Sequence, residues 1–187
     1  MESNFFSQRR SVLARKMSPK NIPDEDLNKI LAAGIRVPDH GALNPWKLCV
    51  IKRDKLKLID ENIILAEFKK ENPNASEIQM ETESKRFQRA SLIIAVVSTP
   101  VEHPKIPIWE MRLSSGAVCM NLLSCAQSLG YAAQWLTEWY AYNEKMLKYL
   151  GGRPEIDKIS GFIYLGHKVE VPNERRRPDP KEVINFL

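Results

Sequence analysis

Apolar positions fall along this chain in two rhythms. Continuous or alternating apolar runs occur in WKLCVIKRD from residue 46, SLIIAVVS from residue 91, YAAQWLTEW from residue 131 and KISGFIYLGHK from residue 158. These predict strands, and the unbroken run at 91–98 predicts one buried on both faces. Helical spacing appears between them. Residues 3–16 contain no breaker and predict a first helix. Leu27, Ile30 and Leu31 mark a second, with Pro23 at its first position, Asp24, Glu25 and Asp26 in its first turn, and Gly34 to cap its end. Leu56, Ile59, Ile63 and Ala66 form the stripe of a third, and residues 77–90 read as a charged, exposed helix. Residues 107–130 read as a helix apolar on nearly every side. Its small residues Ser114, Ser115, Gly116 and Ala117 admit a second backbone or a flat ring. Residues 143–151 form a short helix closed by glycine, and the tail ends in a short helix or arm. The order α-α-β-α-α-β-α-β-α-β fits either α/β or α+β architecture.

Composition narrows the function. With 187 residues, 43% hydrophobic and 27% charged, the chain fits one domain with a real core. The net charge of +5 is unevenly placed. Arg9, Arg10, Arg15, Lys16 and Lys20 crowd the first 23 residues against Glu2 alone, and Arg175, Arg176 and Arg177 form a second cluster. Both suit an anionic ligand, a small phosphate or a nucleic acid. Cys49, Cys119 and Cys125 are an odd set without CxxC spacing, which argues against a disulfide framework or a zinc site and for a reducing compartment. The N-terminus lacks the apolar stretch of a secretory signal, so a cytoplasmic location is expected. Glu110, Arg112, Asn121 and Gln127 interrupt residues 107–130, so no membrane span is expected there. Neither GxGxxG nor GxxxxGK[ST] is present.

Candidate chemistry is sparse. Arg9, Arg10 and Ser11 place two guanidiniums and a hydroxyl within one turn, and the planar arginine fork bonds two phosphate oxygens at once. In AGIRVPDHGALNPWKLCVI, from residue 33, prolines bracket Arg36, Asp39 and His40. His40 suits a base, a ligand or a polar contact, and Asp39 suits turn chemistry. His103 and His167 lack ligand spacing with it. Cys119 and Cys125, in an apolar helix, are expected to be protonated and inert. Trp46 reads as core beside the loop. Trp135, followed by Thr137 at a strand end, presents an indole and a hydroxyl to a pocket or else fills the core.

In their order and spacing, these motifs resemble the nitroreductase family of flavoenzymes, its short-subunit branch in particular. The motifs are the early RRS, the residue 33–51 loop and strand, ASLIIAVVS, WEMRLSSGAVCMNLLSCAQSLGYAAQW, KISGFIYLGHK and the arm RRRPDPKEVI. The resemblance implies an α+β fold with a mixed β-sheet flanked by helices, a long buried central helix, and a C-terminal arm from about residue 168 of a single domain spanning 1–187. It implies a homodimer with FMN at the interface. NADH or NADPH would give a hydride to flavin N5, and an electron-poor small-molecule acceptor such as a nitroaromatic or quinone would then take the electrons. By the same resemblance Arg9, Arg10 and Ser11 hold the FMN phosphate or ribityl chain and the pyrimidine edge. Arg36 and His40 reach the flavin from the partner subunit, Trp135, Leu136 and Thr137 line it, and Arg176 or Arg177 contacts the phosphate. The chain departs from the family pattern at Leu13, where a basic residue is usual and Arg15 is the nearest substitute. It departs again at Ala42, where asparagine is usual, and at Leu136, where arginine is frequent. Two rival readings remain. One is a family member that binds flavin without turnover of nitro compounds, and the other is a basic nucleic-acid-binding module with no reading motif.

Overall fold

The computed structural model describes residues 4–187. It contains helices α1 (Asn4–Gln8), α2 (Asp24–Gly34), α3 (Arg53–Ile59), α4 (Ala66–Glu71), α5 (Glu77–Glu83), α6 (Ile108–Ser128), α7 (Glu144–Tyr149) and α8 (Pro180–Val183). The strands are β1 (Met17–Ser18), β2 (Trp46–Ile51), β3 (Leu92–Ser98), β4 (Ala132–Leu136) and β5 (Lys158–Lys168).

β5 organises the sheet. It pairs with β3 through Leu92↔Leu165 to Ser98↔Lys158, with β4 through Ala132↔Gly166 to Leu136↔Phe162, and with β1 at its far end. β2 completes the sheet on the outer side of β3. All four ladders are antiparallel among the described residues. The α+β class therefore holds, but within one chain the sheet is antiparallel rather than mixed.

Alternation along β3 explains why its seven residues are all buried. Ile93, Ala95 and Val97 face one core, against Leu56, Ile59, Ile64, Phe87 and Tyr140. Leu92, Ile94 and Val96 face the other, against Ile30 of α2 and Val118 and Leu122 of α6. Helices thus cover both faces, and Ser98 at the end of β3 is the strand's one polar residue.

Several local expectations need correction. α1 stops at Gln8, so Arg9, Arg10 and Ser11 follow the helix instead of sitting in its body. Residue 3, the expected start of that helix, lies outside the described residues. Pro23 is the N-cap of α2, one place before the first helical residue. Gly34 is the last residue of α2 but is not a left-handed cap. A Cβ there would stand 2.3 Å from Leu122 Cδ2, so close helix packing requires the glycine. The third helix contains a π-helical segment, Asp60–Leu65, between α3 and α4. The extra residue brings Ile64 into the core beside Ile63, which is buried as expected, and leaves Ala66 exposed. The charged segment 77–90 is not wholly exposed. α5 ends at Glu83, and Glu83 and Phe87 are buried. The carboxylate of buried Asp60 caps the turn at Phe87–Arg89, accepting from Phe87 N (2.8 Å), Gln88 N (3.1 Å) and Gln88 Nε2 (3.1 Å). Trp46 packs beside the α2–α6 core, as expected.

Candidate functional site

The first part of the site is the segment after α1. Val12 N donates to Ala133 O at 3.2 Å and Ala14 N to Gln134 Oε1 at 2.6 Å, so residues 12–14 run along β4. Gln127 Nε2, near the C-terminal end of α6, donates to Arg10 O at 2.7 Å and to Ala133 O at 3.2 Å, fastening the segment to helix and strand together. The Arg10 side chain turns toward the C-terminal arm. Its Nη1 lies 3.0 Å from Glu174 Oε1, and its Nη2 donates to Asn173 O. Glu174 Oε1 also lies 3.5 Å from Arg177 Nη2. The backbone N–H of Arg175, with the charges of Arg10 and Arg177, holds the Glu174 carboxyl below its ordinary range. Among the described residues, Arg9 Nη1 and Arg10 Nε are buried without a hydrogen-bond partner. Buried donors of this kind are costly unless something accepts from them.

Arg9 and Arg10 together line a cavity of about 250 Å³ with Gln8 and Gln127, and Arg10 also lines a second, of about 240 Å³, with Ser11, Leu13, Lys16, Glu170 and Asn173. Lys16, not Arg15, supplies the cation next to Leu13, and it is paired with Glu170. Arg176 is exposed on the arm near Arg177.

The second part is the loop from Ile35 to Pro45. Asp39 Oδ2 accepts from Asn44 N at 2.7 Å, which is the turn role expected of it. Gly41 (φ 74°), Ala42 (φ 51°) and Asn44 (φ 48°) all adopt left-handed backbone. Glycine and asparagine tolerate that region and alanine does not, so the departure at Ala42 puts strain into the loop. Side chains of α6 hold the loop. Ser114 Oγ donates to Pro38 O at 2.8 Å, Asn121 Nδ2 to Arg36 O at 2.8 Å and to Ala33 O at 3.1 Å, and Glu110 Oε2 lies 2.7 Å from His40 Nδ1. The Arg36 and His40 side chains point outward and are exposed.

The third part is the end of β4. Trp135 is 37% exposed, and its indole N–H donates to Ser160 O at 3.0 Å. Leu136 packs into the core and can offer only its backbone, while Thr137 is exposed. This alternation follows from the pleat.

The chain does not bring all of these together. His40 is tied to Glu110 and Arg10 to Gln127, and these two anchors stand about 25 Å apart along α6 at the helical rise per residue. α6 also carries an outward apolar stripe. Trp109 is 65% and Leu113 54% exposed, and among the described residues a Cβ on Gly116 would meet nothing within 4 Å. The residues that sequence reasoning missed are Gln127, Asn173, Glu174, Ser160 and Gly161. Only Gly161 carried a local signal, being a glycine inside a strand pattern.

The remaining candidates have structural roles. Burial pushes the Cys119 thiol up to about 12, and Cys125 is raised for the same reason. His103 Nδ1 accepts from Ile106 N at 3.1 Å inside a turn, and His167 Nε2 lies 3.1 Å from Asn21 O. Among the described residues no group of three His, Cys, Asp or Glu could hold a metal ion, and no helix is long and apolar enough to cross a membrane.

Known proteins resemble this chain in sequence and in fold. The family model described as Nitroreductase family matches residues 6–167. The Escherichia coli (strain K12) protein named "Putative NAD(P)H nitroreductase YdjA" is 30% identical over 167 residues, covering 87% of each chain. A nitroreductase-like family protein from Bacillus cereus superposes with a TM-score of 0.80 at 22% identity, over 99% of this chain and 95% of that one. A nitroreductase with bound FMN from Bacteroides fragilis superposes at 0.71 with 24% identity, over 98% and 97%. The chain belongs to the nitroreductase family.

Proposed function

We propose that this protein is an FMN-dependent NAD(P)H oxidoreductase that works as a homodimer. The observation that carries the reading is the pair of buried guanidinium nitrogens, Arg9 Nη1 and Arg10 Nε, unpartnered among the described residues, in two arginines that line one cavity together. Such donors fit a phosphate, which supplies several strong acceptors at once. The B. fragilis relative with bound FMN and the E. coli relative's NAD(P)H name support the choice of ligands.

Arg9 and Arg10 would hold the FMN phosphate, with Ser11 beside them and Arg176 or Arg177 closing from the arm. Trp135 and Thr137 would line the ring system, with the backbone of Leu136 between them. When bound, FMN supplies the redox chemistry, taking a hydride from NAD(P)H and passing electrons to an electron-poor acceptor such as a nitroaromatic or quinone. The protein contributes binding, orientation and exclusion of water.

The dimer reading rests on two features. His40, at the far end of its loop, is remote from Arg10 within one chain, so a second copy is needed to bring both to one cofactor. The exposed stripe of Trp109, Leu113 and Gly116 on α6 offers an apolar face for that copy. The three free cysteines suit a reducing, cytoplasmic setting.

A second reading, flavin binding without turnover of nitro compounds, is favoured by Leu13 and Glu174, which put an apolar and an acidic group where basic residues would strengthen phosphate binding. Gel filtration with excess FMN, followed by an assay of NAD(P)H oxidation with a nitroaromatic and with a quinone, tests both. Retained flavin with turnover supports the first reading, retained flavin without turnover supports the second, and failure to retain flavin refutes both.

A further inference from the structure

β5 carries an irregularity beside Trp135. On the β3 side, Val96 pairs with Gly161 and Val97 with Ile159, so Ser160 is an extra residue in β5. A bulged residue drops out of the ladder, which frees its polar groups for other partners. The carbonyl of Ser160 accepts the Trp135 indole N–H at 3.0 Å. Its hydroxyl lies 2.7 Å from that of Ser115, a fully buried residue of α6. Gly161 follows directly. A Cβ there would stand 2.0 Å from Trp135 Nε1 and 2.4 Å from Cδ1, so the indole fills the volume that a side chain would need.

We infer that Ser160 and Gly161 are positioning residues whose bulge and missing side chain form a seat that fixes the Trp135 indole at the flavin site. This rests on the reading in which Trp135 lines bound FMN. A partly exposed tryptophan at a strand end has several rotamers open to it. A ring that walls a flat cofactor needs one orientation, held by surrounding groups. The bulge provides the acceptor for the indole N–H, the glycine provides the space, and Ser115 braces the bulge from α6. Bulges occur preferentially where a strand re-aims a side chain next to an active site.

The test is a double-mutant cycle of Gly161→Ala, Trp135→Ala and the double variant. It is read by near-ultraviolet circular dichroism of the FMN-free protein, by the FMN dissociation constant and by visible circular dichroism of the bound flavin. Gly161→Ala is expected to change the indole signal, weaken FMN binding about tenfold and alter the flavin dichroism. In the Trp135→Ala background it should add less than a twofold effect. If Gly161→Ala does not fold, Trp135→Phe keeps an aromatic ring but loses the N–H, and it should alter the flavin dichroism in the same sense. The inference is overturned if the Gly161→Ala effect persists undiminished without Trp135. It is equally overturned if Gly161→Ala folds and leaves both dichroism signals unchanged, or, where only Trp135→Phe folds, if that variant leaves the flavin dichroism unchanged. A wild-type protein that takes up no FMN would refute the proposed function instead, and the indole signal would still test the seat.

Discussion

The carboxylate of Glu174 stands 3.0 Å from a guanidinium nitrogen of Arg10, and the two residues come from opposite ends of the chain. The contact places an internal anion where a phosphate is proposed to bind. Glu174→Gln should therefore tighten FMN binding, by up to about fivefold given the modest strength of exposed ion pairs. Isothermal titration of both proteins with FMN checks this, and weaker binding in the variant would show that Glu174 does not compete with the phosphate.

Arg9→Ala and Arg10→Ala should each weaken FMN binding by ~1.5–3 kcal/mol, roughly ten- to a hundredfold, because each removes a charge-assisted donor. Flavin-fluorescence titration measures the effect. Retention of flavin at wild-type affinity by both variants would refute the assignment.

Gly34 and Gly116 should respond in opposite ways to alanine. At Gly34 the new Cβ would meet the buried side chain of Leu122, so overpacking should cost about 1–3 kcal/mol despite the better helix propensity. At Gly116 a single chain has open space, and the fold should gain up to about 1 kcal/mol. If a second copy packs on α6, Gly116→Ala should also weaken dimerisation, which sedimentation equilibrium reads directly.

Burial raises the Asp60 carboxyl to about 6, opposed by the N–H donors of Phe87 and Gln88 and by the charge of Arg89. The folded state therefore holds this proton more tightly than the unfolded state does. The associated stability is fully present below the unfolded value near 3.8 and is lost as pH rises through about 6, a change of about 3 kcal/mol. Asp60→Asn cannot titrate, so chemical denaturation of wild type and variant from pH 4 to 7 should show their difference changing across this window. A constant difference would contradict the assignment.

What the sequence made legible followed local pattern. The unbroken run at Leu92–Ser98, the helix Ile108–Ser128 and the turn chemistry of Asp39 were readable because each rests on spacing or on one residue's own preferences. The rest depends on long-range contacts. α1 ends before Arg9 because the following segment leaves the helix to pair with Ala133, and no nearby residue signals that partner. Gly34 reads as a cap in sequence, yet the side chain of Leu122, 88 positions away, dictates it. The π segment at Asp60–Leu65 buries Ile64 beside Ile63 and turns Ala66 outward, which a fixed helical period cannot anticipate. The site was found as separate basic clusters. Their joining through Arg10, Asn173 and Glu174 was visible only in the fold.

The most direct test is the visible absorbance spectrum of the protein loaded with FMN, recorded anaerobically before and after addition of NADPH or NADH. The account predicts protein-bound flavin bands that bleach with at least one of the two nucleotides and return when an electron-poor acceptor is added. Flavin bands that persist with both nucleotides, or a protein that remains colourless after incubation with FMN, would contradict it.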